Sequence, residues 1–212
     1  MTAAAWSVAH AAAVEDHPSH TVLRSSCGRV LTLSSARWWA EPAPEEQRVL
    51  DLVLSPVIDI GCGPGRLSIA LSRRGMRSMG VDASTMAVAA ARARGAWVTH
   101  RSVFDQLPDE GGWGSALLLD GNVGIGGDPR RLFRRTRELL RPGGRALLEV
   151  EAPGELTETL AVCAELPAGS TEWFRWARVG VDGLPALARA TGFMLVGTWA
   201  DSGRWFARMD AQ

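Results

Sequence analysis

Nine residues, Val57-Ile-Asp-Ile-Gly-Cys-Gly-Pro-Gly65, limit what this chain can fold into more than any other stretch. A short apolar strand runs into glycines at 61, 63 and 65, and residues 66–74 then take helical spacing with Leu67, Ala70 and Leu71 on one side. A strand passing so quickly into a helix is the first half of a parallel crossover. Glycines at such a turn let main chain come close to a ligand, because no Cβ intervenes. The start of the next helix offers free N–H groups and a positive dipole end. The spacing is G-x-G-x-G. The dinucleotide fingerprint G-x-G-x-x-G fails because residue 66 is Arg.

The alternation continues beyond this turn. Residues 76–81, 96–99, 114–119 and 145–150 read as further strands. Residues 84–94 and 128–140 read as helices, one opening at Ser84 and the other at Asp128-Pro129. Five strand–helix units imply a doubly wound α/β fold: a parallel sheet with helices on both faces. Its strands are continuously apolar, as strands buried on both sides must be. A helix over 45–54 precedes the first strand. Residues 184–191 read as a helix, and 193–199 and 204–209 as strands joined by Asp201-Ser202-Gly203. That gap is too short for a crossover, so the last pair is expected to be antiparallel. Residues 1–40 and 152–182 are weakly patterned, apart from a short hairpin expected near Cys27-Gly28.

Composition removes several classes. With 23 acidic and 23 basic residues the net charge is zero, which leaves little long-range attraction to nucleic acid or an anionic membrane. The basic residues are all Arg; Lys and Tyr are absent, so no Schiff-base Lys or Tyr acid is available. Cys27, Cys62 and Cys163 lie far apart with no metal-ligand spacing, and no metal is expected. The Ala-rich start, interrupted by His10, lacks a basic leader segment, and no apolar run approaches membrane-spanning length. A cytoplasmic protein is expected, either monomer or homodimer.

Three acids stand where the strands end. Asp82 closes the second strand, 21 residues after Gly61, where a carboxylate can accept from ribose hydroxyls. Asp105 follows the third strand, with Phe104 beside it. Asp120 follows the fourth and opens Asp120-Gly-Asn122, in a loop with four glycines that eases close main-chain approach.

Together the Gly61–Gly65 turn, Gly-Val-Asp82-Ala83, Phe104-Asp105 before Leu-Pro, and Leu-Leu-Arg-Pro-Gly-Gly-Arg-Ala-Leu-Leu-Glu-Val resemble class I S-adenosylmethionine-dependent methyltransferases. The resemblance covers residues 57–150 and the terminal helix and hairpin. It implies a Rossmann-like seven-stranded sheet of order 3-2-1-4-5-7-6 with strand 7 antiparallel. It implies S-adenosyl-L-methionine as cofactor, S-adenosyl-L-homocysteine as product and a small-molecule acceptor, such as one of secondary metabolism, methylated at O, N or C. Carried over by position, Asp59, Gly61, Cys62, Gly63 and Gly65 would hold the methionine end. Asp82 and Ala83 would meet the ribose, Phe104 and Asp105 the adenine, and Asp120 the sulfonium. Asp120 and Asn122 are the candidate catalytic pair, to orient the methyl or acceptor or to act as base. The Asn/Asp-Pro-Pro-aromatic motif of DNA and protein N-methyltransferases is missing.

The expected division is a lid at 1–40 and a cofactor-binding domain at 41–212, with a substrate-cap insertion at 152–182. Trp38, Trp39, Trp173, Trp176, Trp199 and Trp205 are candidates for a cap over the acceptor. His10, His17, His20 and His100 are more simply structural. The arginines of 130–137 fall on what reads as a solvated helix face. An NAD-dependent oxidoreductase and a non-enzymatic nucleoside-binding module are the alternative readings.

Overall fold

The computed structural model describes residues 20–166 and 169–212, so the Ala-rich start with His10 and His17 lies outside the described residues. The strands of the described residues form two sheets. The larger contains β3 (Val57–Ile60), β4 (Ser78–Asp82), β5 (Val98–His100), β6 (Trp113–Leu118), β7 (Leu140–Val150), β11 (Phe193–Asp201) and β12 (Arg204–Ala211). Its order is β5-β4-β3-β6-β7-β12-β11. The first five strands pair in parallel, while β12 runs antiparallel to both β7 and β11. Counted along the chain, this is the order 3-2-1-4-5-7-6 with the seventh strand reversed.

The continuous apolar strands serve two cores. Ile58, Ile60, Ala116 and Leu118 face one layer, where they meet Leu132 and Phe133 of α4 (Pro129–Leu139) and Leu184 and Leu187 of α5 (Leu184–Ala190). Val57, Leu117 and Leu119 face the other. There they meet Val49 and Leu50 of α1 (Pro44–Asp51) and Leu67 and Leu71 of α2 (Arg66–Arg73). Successive residues of a strand point to opposite sides, so both sides must be apolar. Between β4 and β5, α3 (Thr85–Ala93) starts at Ser84, whose Oγ accepts from the Ala87 amide. Asp128 caps α4 in the same way through the Arg131 amide.

The second sheet is antiparallel and joins the two weakly patterned segments. It holds β1 (Thr21–Ser25), β2 (Val30–Leu33), β8 (Glu158–Leu166), β9 (Gly169–Ser170) and β10 (Phe174–Arg178), in the order β10-β8-β1-β2 with β9 on β8. The hairpin at Cys27-Gly28 is present, and its first strand pairs with β8, Arg24 opposite Cys163. Leu23, Leu160, Val162, Phe174 and Trp176 form a separate small core. Alternation in β8 puts Leu160 and Val162 inward, but a strand whose partner lies over a hundred residues away carries little local signature.

Three expectations need correction. The loop after β6 is a 3-10 segment, Asn122–Gly127, and its glycines admit protein rather than only ligand. A Cβ on Gly124 would strike the Trp176 indole and the Ala177 carbonyl, and one on Gly127 would strike Arg175. The arginines of α4 are not simply solvated. Arg135 reaches back to the carbonyls of Val103 and Asp105, and Arg131 lies over the Phe104 ring at 4.1 Å. Strand boundaries also shift: β5 starts at Val98 rather than residue 96, and β7 starts at Leu140 rather than 145. Among the described residues, no helix is long and apolar enough to cross a membrane.

Candidate active site

The carboxyl ends of β3, β4 and β6 converge on the glycine turn. The Gly61 amide donates to the Val81 carbonyl at 2.8 Å, and the Gly63 amide donates to Asp82 Oδ2 at 2.9 Å. The Ser84 amide donates to Asp82 Oδ1 at 2.8 Å, so main-chain donors on two sides aim the Asp82 carboxylate. Cys62 is buried with its Sγ packed over Gly80; only its main chain can serve a ligand here. Burial pushes its thiol well above the ordinary range, and Asp82 and Asp59 add to the rise. Gly65 is the N-cap of α2 in a left-handed conformation.

Asp59 lies beneath this turn, 2 % exposed, and accepts from Ser68 Oγ at 3.0 Å. Burial pushes its carboxyl up to about 6, against the Ser68 hydrogen bond and the Arg66 charge; Asp120 and Asp82 push the same way as burial. Three carboxylates around one turn make a site that favours a cation.

Three cavities run along this edge. The first, about 260 Å³, is lined by Asp82, Ala83, Ser102, Val103, Phe104 and Ile125, among others. A narrow second cavity of about 20 Å³ lies at the turn between Asp59, Gly63, Trp38, Asp120 and Asn122. The third, about 400 Å³, separates the two sheets, with Leu31, Leu33, Trp38, Trp176, Asp120 and Glu149 in its walls. Gly61 and Asp82 border the first two, and Trp38 and Asp120 border the last two.

Phe104 therefore lines the first cavity. Asp105 does not: it is exposed, and its carboxylate accepts from the Ser102 amide at 3.0 Å, capping that turn. Asn122 Nδ2 donates to the carbonyls of Ile60 and Gly61, both at 2.9 Å, and its side chain would lie 2.8 Å from a Cβ on Gly61. His100 is exposed beside the Ala83 carbonyl, at 3.1 Å. Of the tryptophans, Trp38 and Trp176 line the third cavity. Trp39 lies under Arg94, Trp199 stacks on Phe206, Trp205 packs against the larger core and Trp173 is exposed.

Asp120 is held hard. It lies in the left-handed region at φ 56°, and Gly121 follows at φ 81°, which reverses the chain after β6. Its Oδ2 is 2.5 Å from Arg66 Nη2 and its Oδ1 is 3.3 Å from Arg204 Nη2, while its amide donates to Glu149 at 2.6 Å. Arg66 also grips Glu46 with both terminal nitrogens, at 2.6 and 2.8 Å. Arg204 grips Glu149 twice and Glu46 once. Burial would raise the Glu46 carboxyl, but Arg66 and Arg204 outweigh it and bring it down to about 2. This lattice ties α1, α2, β7 and β12 to the loop after β6.

Comparison with known proteins agrees with this geometry. Residues 57–144 match the family model described as a methyltransferase domain. A crystal structure of an S-adenosylmethionine-dependent methyltransferase from Bacteroides fragilis, with S-adenosyl-L-homocysteine, superposes with a TM-score of 0.79. It is 20% identical, over 98% of this chain and 94% of that one. Over residues 57–144 the chain is similar to a methyltransferase domain, and its fold is that of the superposed methyltransferase. Its curated relatives include a ubiquinone biosynthesis O-methyltransferase from Xanthomonas oryzae, 29% identical over 53% of this chain and 55% of that protein. A ribosomal protein L11 methyltransferase from Shewanella amazonensis is 30% identical over 59% of this chain and 45% of that protein. The chain spans about half the length of these curated relatives.

What sequence reasoning missed is the buried lattice behind the turn. Arg66 entered that reading only as a missing glycine, and Glu46 and Arg204 not at all. The available signal was weak: an apolar helix face at 45–54 interrupted by two acids, and an Arg beginning an otherwise buried strand.

Proposed function

We propose that this chain transfers a methyl group from S-adenosyl-L-methionine to a small-molecule acceptor held between the two sheets. The observation that carries this reading is the row of cavities along one sheet edge, meeting at the Gly61–Gly65 turn. Open α/β sheets bind ligands at this edge. Asp82, aimed by the Gly63 and Ser84 amides, would take the ribose hydroxyls, with Ala83 alongside. Ser102, Val103 and Phe104 would flank the adenine, while Asp105 acts through the Ser102 turn that it caps. Asp59 and the main chain of Gly61, Cys62, Gly63 and Gly65 would face the methionine end.

The cavity at the turn is too small for a methionine chain. Asn122 and Trp38 must therefore yield on binding. Asn122 Nδ2 sits on the Ile60 and Gly61 carbonyls, which an incoming ammonium can use as acceptors in its place. When bound, the cofactor supplies a methyl on a cationic sulfur. That chemistry would be a displacement at the methyl by an acceptor held between the two sheets. The residues of this chain align the two partners and exclude water, which supplies much of the rate gain in such displacements. Asp120, paired with Arg66 and Arg204, is assigned to orientation and negative potential rather than to proton removal.

The acceptor class rests on the third cavity, whose volume falls in the usual range for small-molecule sites. The Xanthomonas relative is named for O-methylation in ubiquinone biosynthesis and the Shewanella relative for a ribosomal protein; the walled cavity favours the first kind. The smaller sheet would serve as the lid and cap. Calorimetric titration of folded protein with S-adenosyl-L-homocysteine tests the reading. Binding that weakens at least tenfold in Asp82→Asn is expected. No heat with either form of the cofactor, or heat with NAD⁺ instead, overturns it.

A further inference from the structure

The third cavity contains an imbalance in its charges. Three carboxylates face it, and each is engaged. Asp120 pairs with Arg66 at 2.5 Å, and Glu149 accepts from Arg204 at 2.8 and 2.6 Å. Glu151 takes both a 3.1 Å and a 2.9 Å bond from Arg178. Arg178 is further surrounded by Glu155 and Glu158 at 3.4 and 3.8 Å. The remaining cation in the wall is Arg37, on the 3-10 turn Ser35–Trp39. Among the described residues, its ion pair is with Asp120 at 3.9 Å, beyond hydrogen-bonding distance, and its side chain is a third exposed. Asp120 is already committed to two closer guanidinium groups.

Arg37 thus presents a planar fork of donors to a space whose apolar walls include Leu31, Leu33, Trp38, Val150 and Trp176. A guanidinium beside indole and aliphatic walls is complementary to a flat apolar body carrying a carboxylate, which it can grip with two parallel bonds. Arg66, Arg204 and Arg178 are each held by acids at 2.5–2.9 Å, which leaves Arg37, 3.9 Å from Asp120, as the guanidinium in this wall without a close carboxylate. The cationic cofactor sulfur expected next to Asp120 adds to the preference for an anion.

Building on the methyltransferase reading, we propose that the acceptor is an aromatic or other flat apolar acid whose carboxylate docks on Arg37. Arg37 is then a specificity-determining residue that binds the acceptor at a handle. The assignment leaves open which atom takes the methyl.

The test uses the full chain saturated with S-adenosyl-L-homocysteine, so that the cofactor site is filled and known to be intact. Three probes of one shape are titrated by calorimetry: 2-naphthoate, neutral 2-naphthamide and cationic 2-naphthylmethylamine. The naphthoate is expected to bind about tenfold or more tightly than the amide, as a charge-assisted pair requires, and the amine weakest of the three. Arg37→Gln removes the difference between acid and amide, Arg37→Lys keeps part of it, and both variants bind S-adenosyl-L-homocysteine as the wild type does. Equal binding of acid and amide by the wild type overturns the proposal, as does preference for the amine. A naphthoate preference that survives in Arg37→Gln also overturns it, by placing the anion elsewhere. Failure of S-adenosyl-L-homocysteine to bind at the outset is a different result and counts against the methyltransferase reading itself.

Discussion

Replacing Asp59 by Asn should remove a pH dependence that this one carboxylate imposes on folding. Asp59 is enclosed, has Ser68 Oγ as its hydrogen-bond donor, and lies near two other carboxylates. Burial raises it from an ordinary 3.8 to about 6. At about 1.4 kcal/mol per pH unit, that change corresponds to about 3 kcal/mol. The folded form holds a proton that the unfolded chain releases at lower pH. Stability therefore falls as pH rises from about 4 to about 6, and the full cost is present at pH 7. Asn cannot ionise and carries no such dependence, although its amide protons need partners that cost part of the gain. Urea unfolding followed by tryptophan fluorescence, at several values between pH 4 and pH 7.5, measures this directly. Relative to Asp59→Asn, the wild type should lose about 3 kcal/mol across the window. Parallel curves for the two proteins would refute the reasoning, because they would mean that Asp59 pays no penalty for its charge. The same burial explains why the residue suits a cationic ligand. S-Adenosyl-L-methionine and S-adenosyl-L-homocysteine, which share the ammonium, should both gain affinity between pH 5 and 7, and Asp59→Asn should remove that gain.

Three further perturbations probe the rest of the site. Glu46→Ala strands Arg66 and part of Arg204 in a buried lattice and should cost roughly 3–5 kcal/mol in chemical denaturation. Because the Glu46 carboxyl is depressed to about 2, the stability it contributes is complete above its ordinary 4.5 and is lost as pH falls below that value. Acid titration of wild type and Glu46→Gln should diverge there. Asn122→Ala frees the Ile60 and Gly61 carbonyls and widens the cavity at the turn; stability should fall by about 1–2 kcal/mol while S-adenosyl-L-homocysteine binds more tightly. Weaker binding would show that the Asn122 amide itself contacts the ligand. Gly124→Ala forces the 3-10 segment off Trp176 and should raise the acceptor KM strongly, and because Ile125 and Trp176 also border the first cavity, cofactor affinity in a calorimetric titration should fall too.

Much of the larger sheet was legible because its central strands β3, β4 and β6 are buried on both faces and the crossovers between its parallel strands are local. Val57–Ile60 could be placed from four consecutive apolar or buried residues, and Ser84 and Asp128 from cap chemistry a few residues away from the helices they start. Glycine spacing likewise marked the turn at the ligand edge. The smaller sheet was not legible. Arg24 opposite Cys163 is a pairing over a long loop, and one-sided strands of mixed composition look like irregular chain until their partner is known. The glycines of 121–127 could be counted but not interpreted, since a close approach by ligand and one by the Trp176 strand ask for the same residue.

Local physics thus determined where this chain makes strands, helices and a ligand-facing turn, because propensity, caps and alternation act within a few residues. Tertiary structure alone decided how charge is distributed around that turn. Glu46, Arg66, Asp120, Glu149 and Arg204 meet from five separate elements, and Arg37 is left facing a cavity between two sheets. The pairing energy of buried charges depends on distances of a few ångströms between groups far apart in the chain. Those distances exist only once both sheets have formed and closed on one another.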